Sequence, residues 1–373
     1  MKKYSCAVIV VFVATLLAVP LATALSPNKS FSQNENRYLA AAPNLTAQNI
    51  WSGNFMKQAE EYVTDQFPLR DNWVGFKSDF LRLLGCKEIN GVYLGKEGYL
   101  IEKWAPEDFD PQQLTQNINA INAFATANPQ INTYTMLVPT AGTVYANKLP
   151  SGAPMFCQQQ VLTTAQNALN TGYIDLLPLF LQQAEQQLFY KTDHHWTNTG
   201  AYLAYTQYCH TLGLPVVQQP PAKVATTTFQ GSLYSKVLGS HCPTDTIFLP
   251  QCPGIDQCQV QYPPGTQCDN TLYQTWALAQ KDKYQVFLGG NYPWLAITTP
   301  CQNQKSLLII KDSFANSFVP YLTPYYQTIY MVDLRYYPGG LSQFLAQHPV
   351  QDCLILCQAK TLAQDINFFK MTQ

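Results

Sequence analysis

Asp193, His194, His195 and Trp196 are consecutive. They bring a carboxylate, two imidazoles and an indole into four residues, in a chain of 373 that has five histidines in all. Imidazole changes its charge nearest to neutral pH, so a carboxylate-flanked pair suits a site that moves protons. The second candidate is far downstream, in Lys311-Asp312-Ser313-Phe314-Ala315-Asn316-Ser317. An apolar run, 306–310, stops just before it, and a helical pattern starts just after Ser313. A serine on such a strand-to-helix turn projects its hydroxyl. The helix start behind it offers backbone N–H groups and a partial positive charge, the parts of an oxyanion hole.

A serine hydroxyl is too weakly acidic to attack unaided and needs a base held by a third group. Asp193 and His195 supply both. At a spacing of two, a turn or extended segment sets both side chains on one side. The carboxylate then fixes the nearer ring nitrogen and leaves the other for Ser313. The same alternation turns His194 away, and Trp196 becomes either packing or a stacking wall for a sugar. Blander roles exist: Asp193 as a turn former, a histidine as a satisfied core residue, Ser313 as a helix cap. Metal ligation by Asp193-His194-His195 would call for further aspartates at strand ends, and the chain has no such set, so no metal is expected.

The elements that must position these groups follow from pattern. Asp110-Pro111 opens a helix to about Ala127, with a cap and a proline at the first position. Strands are expected at 133–138, 173–177, 284–288, 306–310, 328–332 and 353–356. Helices are expected at 158–170, 178–188, 200–212 (capped by Asn198 or Thr199), 314–322 and 341–347. Apolar strands alternating with helices indicate a mostly parallel sheet covered on both faces, a three-layer α/β/α fold. Upstream, helices are expected over 54–63 and from Asp71 to Leu84, with Gly85 as the stop, and a hairpin over 92–101. Residues 216–283 read as an irregular, cysteine-bearing insertion. The domain plan is a signal or anchor over 1–24, an extended lead-in over 25–50, and one α/β domain over 51–373.

Composition bounds the partners. Charged residues are 12% and the formal net charge is −1, with no basic stripe, which argues against nucleic acid as the main partner. Gln, Asn, Thr and Tyr stand where charge would be, a surface suited to neutral polar ligands such as sugars. Lys2 and Lys3 precede an apolar run over 6–21, and Ala22-Thr23-Ala24 is a small-x-small motif. That is an export signal, cleaved after Ala24 or kept as an anchor, and either way the body lies outside the cytoplasm. Setting Cys6 aside, ten cysteines remain, an even number that suggests disulfides in an exported chain. No C-x-x-C occurs and the spacings are wide for zinc.

The Asp193-His194-His195-Trp196 run and the Ser313 segment resemble the DHHW family of exported bacterial proteins, similar to the alginate O-acetylation proteins of the SGNH-hydrolase superfamily. Further matching pieces are Glu35-Asn36-Arg37, Asp65-Gln66-Phe67-Pro68-Leu69-Arg70, Leu94-Gly95-Lys96-Glu97-Gly98-Tyr99-Leu100, Phe287-Leu288-Gly289-Gly290-Asn291-Tyr292-Pro293 and Asp333-Leu334-Arg335-Tyr336. The resemblance spans about residues 34–357. It implies an SGNH-hydrolase-like fold and a triad of Ser313, His195 and Asp193. It also implies Asn291 as the oxyanion asparagine, with Gly289 or Gly290 as the oxyanion glycine. Lys311 departs from the family-type Gly-Asp-Ser motif, and Thr140-Ala141 departs where relatives carry a lysine. The implied function is an exported O-acetyltransferase or acetylesterase acting on a polysaccharide, without a cofactor, with acyl groups supplied by a membrane-bound O-acyltransferase. The alternative is a catalytically silent polysaccharide-binding or assembly protein.

Overall fold

The computed structural model describes residues 2–35, 37–263 and 267–373. Asn36 of the Glu35-Asn36-Arg37 piece and positions 264–266 of the expected insertion lie outside the described residues. The chain divides into two compact units, Met1–Ile89 with Ser235–Cys242, and Asn90–Tyr234 with Pro243–Gln373. Residues 51–89, assigned from sequence to the α/β domain, therefore group with the N-terminal unit.

In the first unit a helix, Lys2–Leu25, continues through the 22–24 motif. Its window Cys6–Thr23 is long and apolar enough to cross a membrane. The helix expected to be capped by Asp71 is Arg70–Leu83, and its cap residue is Leu69, in the left-handed conformation. Asp71 falls inside the first turn, where its charge still favours the helix start. Arg37 bonds Glu35 at 2.7 Å and Asp65 at 2.9 Å, and Arg70 bonds Glu35 at 2.5 Å. The motif pieces around Glu35 and Asp65 are thus two halves of one ion-pair network.

The second unit is built on an eight-stranded sheet. Its strands in chain order are β1 (Asn132–Val138), β2 (Gly172–Ile174), β3 (Gln259–Tyr262), β4 (Gln267–Asp269), β5 (Trp294–Thr298), β6 (Ser306–Lys311), β7 (Thr328–Val332) and β8 (Asp352–Gln358). Across the sheet the order is β4-β3-β5-β7-β6-β8-β1-β2. Neighbours from β7 to β2 are parallel, while β4, β3 and β5 are joined antiparallel. Successive strand residues face opposite sides. Leu307, Ile309, Leu354 and Leu356 enter one core; Leu308, Ile310, Cys353 and Ile355 enter the other.

Because both faces are apolar, both need cover, and helices supply it. In chain order these are α1 (Pro111–Ala127), α2 (Gln159–Ala168), α3 (Leu177–Gln182), α4 (Asn198–Leu212), α5 (Ala315–Phe318), α6 (Leu341–Gln347) and α7 (Ala359–Gln364). α4 and α5 pack on the first face, and α1, α2, α6 and α7 on the second, giving three layers. Asp110 caps α1 through the N–H groups of Gln112 and Gln113, as its sequence predicts. The cap of α4 is Thr197, which accepts from the Gly200 N–H, one residue before the expected Asn198.

Three expectations need correction. The 216–283 segment is not irregular throughout: Ala222–Phe229 and Asp245–Pro250 form a hairpin, and β3 and β4 extend the main sheet. The buried positions of its strands (Phe229, Ile247, Leu249, Val260, Tyr262) are diluted by Gln, Thr and Pro. The expected strand at 284–288 is instead a 3-10 turn, Lys283–Val286, because the chain turns left-handed at Leu288, Gly289 and Gly290. The expected disulfides are not formed, and all eleven cysteines are free. Cys353 and Cys357 lie four residues apart on β8, about 13 Å along an extended strand, beyond the span of a disulfide. Cys252 and Cys258 pack as small apolar side chains in the first core.

Candidate active site

Ser313 follows β6 by two residues, at the carboxyl end of the parallel strands, where open α/β sheets gather functional groups. Asp312 anchors the turn. One of its oxygens accepts the Phe314 N–H at 3.0 Å; the other accepts the Gln358 N–H at 2.7 Å and the Thr361 hydroxyl at 2.9 Å. It ties the serine turn to the end of β8 and the start of α7.

The histidine lies on the loop between α3 and α4, which is closed by bonds from the Tyr190 N–H to the His195 carbonyl and from the Thr197 N–H to the Leu188 carbonyl. Buried Asp245 holds this loop from below. Its carboxylate accepts the N–H groups of Lys191 and Thr192, the Thr192 hydroxyl and the Gln187 amide, at 2.7–3.1 Å. The loop and the serine turn are fastened together by Trp196. Its indole N–H reaches the Phe314 carbonyl at 3.1 Å and the Ser317 hydroxyl at 2.8 Å.

The result is a line of hydrogen bonds. Ser313 Oγ is 2.7 Å from His195 Nε2, and His195 Nδ1 is 2.5 Å from Asp193 Oδ1. Asp193 also accepts the His195 N–H at 2.9 Å and the Ser232 N–H at 2.7 Å. Burial opposes ionisation of Asp193, but His195, His194 and the Ser232 N–H outweigh it and hold its carboxyl well below the usual carboxylate range. Burial, reinforced by His194 and opposed by Asp193, pushes the His195 ring down to about 4. At neutral pH the aspartate is therefore charged and the ring neutral. The carboxylate selects the tautomer with the proton on Nδ1, leaving Nε2 to accept from the Ser313 hydroxyl. Tyr284 stacks on the His195 ring at 3.8 Å and 8°, and its hydroxyl bonds Ser317 at 2.9 Å. The imidazole can therefore neither tilt nor rotate freely.

Gly231 makes the Asp193 position possible. A Cβ there would lie 2.2 Å from Asp193 Oδ2 and 2.3 Å from Asp193 Cβ, closer than any real contact. Gly231→Ala is expected to push the carboxylate off the imidazole. It should cost about 1–3 kcal/mol of stability, as overpacking does, and at least about 10²-fold in ester turnover. Urea unfolding and a hydrolysis assay on the same preparation check both.

His194 and Trp196 differ from expectation. His194 is not turned away. Its ring lies 3.9 Å from that of His195, and its Nδ1 is 2.8 Å from the Ser232 hydroxyl, because residues 191–195 form a run of bends rather than an extended segment. Trp196 is fully buried, so it cannot be a stacking wall for a sugar. Asp193, His194 and His195 do place ligand atoms within 4.8 Å of one another. However, His195 has no lone pair to spare, since its Nδ1 carries the proton shared with Asp193 and its Nε2 accepts from Ser313.

For the oxyanion candidates, the Gly289 N–H donates to the Gln285 carbonyl and the Gly290 N–H to the Phe287 carbonyl, so neither glycine is a free donor. Asn291 is exposed, and its Oδ1 accepts from Lys311 and Asn316. Among the described residues, the Ser313 N–H and the Asn291 Nδ2 make no protein hydrogen bond. Sequence reasoning missed Asp245, Gly231 and Tyr284, which lie in the stretch read as irregular or just past it. Only Gly231-Ser232 carried even a faint signal, a small-residue pair just after a buried aromatic.

The sequence profile described as "DHHW protein" matches residues 114–332, more than half of the chain. The chain belongs to the DHHW family. A DHHW family protein from Eubacterium siraeum shares its fold, at 21% identity and a TM-score of 0.63, over 76% of this chain and 95% of that one. Bacillus cereus PatB1, solved with a sulfonyl adduct, does so at 23% and 0.64, over 76% and 98%. Among curated proteins, a probable alginate O-acetylase, AlgJ, of Pseudomonas syringae pv. tomato is 25% identical over 230 residues. This DHHW chain spans about half the length of that relative, 56% of each.

Proposed function

We propose that this protein is an exported, serine-dependent O-acetyltransferase or acetylesterase of the SGNH type that acts on a cell-surface or secreted polysaccharide. The reading rests on one observation above all, the unbroken line from Ser313 Oγ through His195 to the buried Asp193 carboxylate. The alginate O-acetylase description of the Pseudomonas syringae relative and the membrane-length N-terminal helix support the substrate class and the location. The body would face the outside of the cytoplasmic membrane, tethered by that helix or released after cleavage.

In the first half-reaction Ser313 Oγ attacks the acetyl carbonyl of the donor while its proton passes to His195 Nε2. Asp193 stabilises the imidazolium that forms. Negative charge on the carbonyl oxygen is met by the Ser313 N–H and the Asn291 amide. Collapse expels the donor's leaving group, which takes the proton from His195 and leaves acetyl-Ser313. In the second half a sugar hydroxyl gives its proton to His195 and attacks the acetyl carbon. The Ser313 ester bond breaks, Oγ regains the proton, and the sugar leaves acetylated. Water in place of the sugar gives acetate. The donor would come from a membrane-bound O-acyltransferase, since acetyl groups originate in the cytoplasm.

The experiment is a partition. The protein is given an activated aryl acetate with and without alginate oligosaccharide, cello-oligosaccharide or chitooligosaccharide. Acetyl-sugar appearing at the expense of acetate marks a transferase, and acetate alone an esterase. Release of neither would refute the reading. The pH profile is a second check. The working form of His195 is the neutral ring, and its pKa lies below the ordinary value, at about 4. The rate should therefore hold from pH 7 to below 6 and fall only as pH approaches that value, whereas an ordinary histidine would halve the rate near pH 6.5. The same depression removes stability as pH falls from 6.5 toward 4, because the unfolded chain takes up a proton that the folded ring resists. Kinetics and circular dichroism must therefore be read together.

A further inference from the structure

Three motif pieces far apart in the chain meet at one buried ammonium group. Lys311 is the last residue of β6, and its side chain is buried at the sheet's carboxyl end. Its Nζ lies 2.8 Å from Asn316 Oδ1, 3.0 Å from Asn291 Oδ1 and 3.9 Å from Asp333 Oδ2. Asp333 is in turn held by Arg335 through two bonds, at 2.8 and 2.6 Å. The sheet register brings these pieces together. Ile310 is level with Val332 in parallel pairing, and Trp294 is level with Val332 in antiparallel pairing. The residues just past β6 and β7 and just before β5 therefore share one edge, and the Asp333 N–H bonds the Pro293 carbonyl.

An ammonium group donates and never accepts. Whatever amide end faces Lys311 Nζ must therefore be oxygen, and two asparagines are oriented by this one constraint. Asn316 turns its oxygen to Lys311 and its Nδ2 to the Gly290 carbonyl and Asn291 Oδ1, at 3.3 Å each. Asn291 receives both donors on its oxygen, so its own Nδ2 is turned outward, where it makes no protein hydrogen bond among the described residues. An unrestrained asparagine amide can present either end to a developing oxyanion, and only the N–H end stabilises it.

We infer that Lys311 is a positioning residue that acts through Asn291, holding its amide in the one orientation that offers Nδ2–H to the acetyl oxyanion. This rests on the acetyl-transfer reading above. Lys311 touches neither substrate nor the reacting atoms. Its burial also pushes its ammonium down to about 8, with Asp333 opposing the shift, so the charge is kept there by partners rather than by water. The departure from a Gly-Asp-Ser motif is then a change of device. A glycine lets backbone approach, whereas a lysine orients an amide.

The test is a double-mutant cycle on the full chain, measuring kcat and KM for an aryl acetate. Asn291→Ala should lower kcat by about 10²–10³-fold, as loss of one oxyanion donor does, with little change in KM. Lys311→Met, which keeps the stem but has no donor, should lower kcat to a similar extent. The double variant should be no worse than about threefold below Lys311→Met alone. Losses that multiply in the double variant, or an unchanged kcat in Lys311→Met, would overturn the inference. If Lys311→Met does not fold, Lys311→Gln, which keeps an amide donor, takes its place, with a smaller loss and the same non-additivity expected. Labelling of Ser313 by an alkylsulfonyl fluoride, located by peptide mass, runs alongside. Absent labelling and turnover in the unmodified chain count against the acetyl-transfer reading itself. Labelling and turnover with multiplicative losses count against Lys311 alone.

Discussion

Ser313→Ala should lower acetate release from an aryl ester by about 10⁴-fold or more while leaving the fold intact. The size follows from the role proposed for the hydroxyl. Without Oγ the proposed covalent intermediate cannot form, and His195 Nε2, which loses its partner at 2.7 Å, is left to activate water. The remaining donors still polarise the carbonyl, so a residue of catalysis persists. Ser313 is partly exposed and, among the described residues, Oγ bonds only His195, so stability should change little, within about 0.5 kcal/mol. Steady-state turnover with the thermal midpoint of the same sample separates the two effects. A variant that keeps a tenth of the rate would exclude Ser313 as nucleophile.

Asp193→Asn should be nearly as damaging to rate, by on the order of 10³–10⁴-fold, and unlike Ser313→Ala it should also cost stability. One Asp193 oxygen accepts from His195 Nδ1 at 2.5 Å and from the His195 N–H at 2.9 Å, and the other from the Ser232 N–H at 2.7 Å. An asparagine offers one acceptor and one donor. Setting its oxygen on the histidine side points its NH₂ at the Ser232 N–H, donor against donor. Setting it the other way points NH₂ at Nδ1, which then becomes the acceptor and moves the ring proton to Nε2, the tautomer that cannot take a proton from serine. Either choice leaves a buried polar group unpaired, at about 1–3 kcal/mol. A rate unaffected by this substitution at constant pH would show that Asp193 does not set the tautomer.

The sheet was legible where its chemistry is simple. Strands β6, β7 and β8 are runs of β-branched and apolar residues buried on both faces, and α1 is marked by Asp110-Pro111; all were located from pattern. The turn that carries Ser313 was also foreseeable, because the apolar strand stops just before it and a helical pattern starts just after it. What supports the line from Ser313 to Asp193 was not. Asp245 and Gly231 act through contacts with residues about 40 to 50 positions away, and nothing in their neighbours marks a carboxylate that clamps a loop or a glycine pressed against an aspartate. The position of His194 was misjudged because alternation applies to strands, and this loop is a series of bends. Cysteine number suggested crosslinks, but number says nothing of distance, and Cys353 and Cys357 are held apart by the strand that carries both.

The proposed acetyl-enzyme can be tested directly by trapping it. The full chain is mixed with excess aryl acetate at pH 6, quenched in acid within seconds, digested and weighed. The proposed mechanism predicts about one acetyl group per chain, a gain of about 42 Da, on the peptide bearing Ser313. The adduct should decay when water or acceptor sugar is allowed to react, and it should be missing in Ser313→Ala. Turnover with no acetyl on Ser313, or with acetyl on another residue, would contradict it.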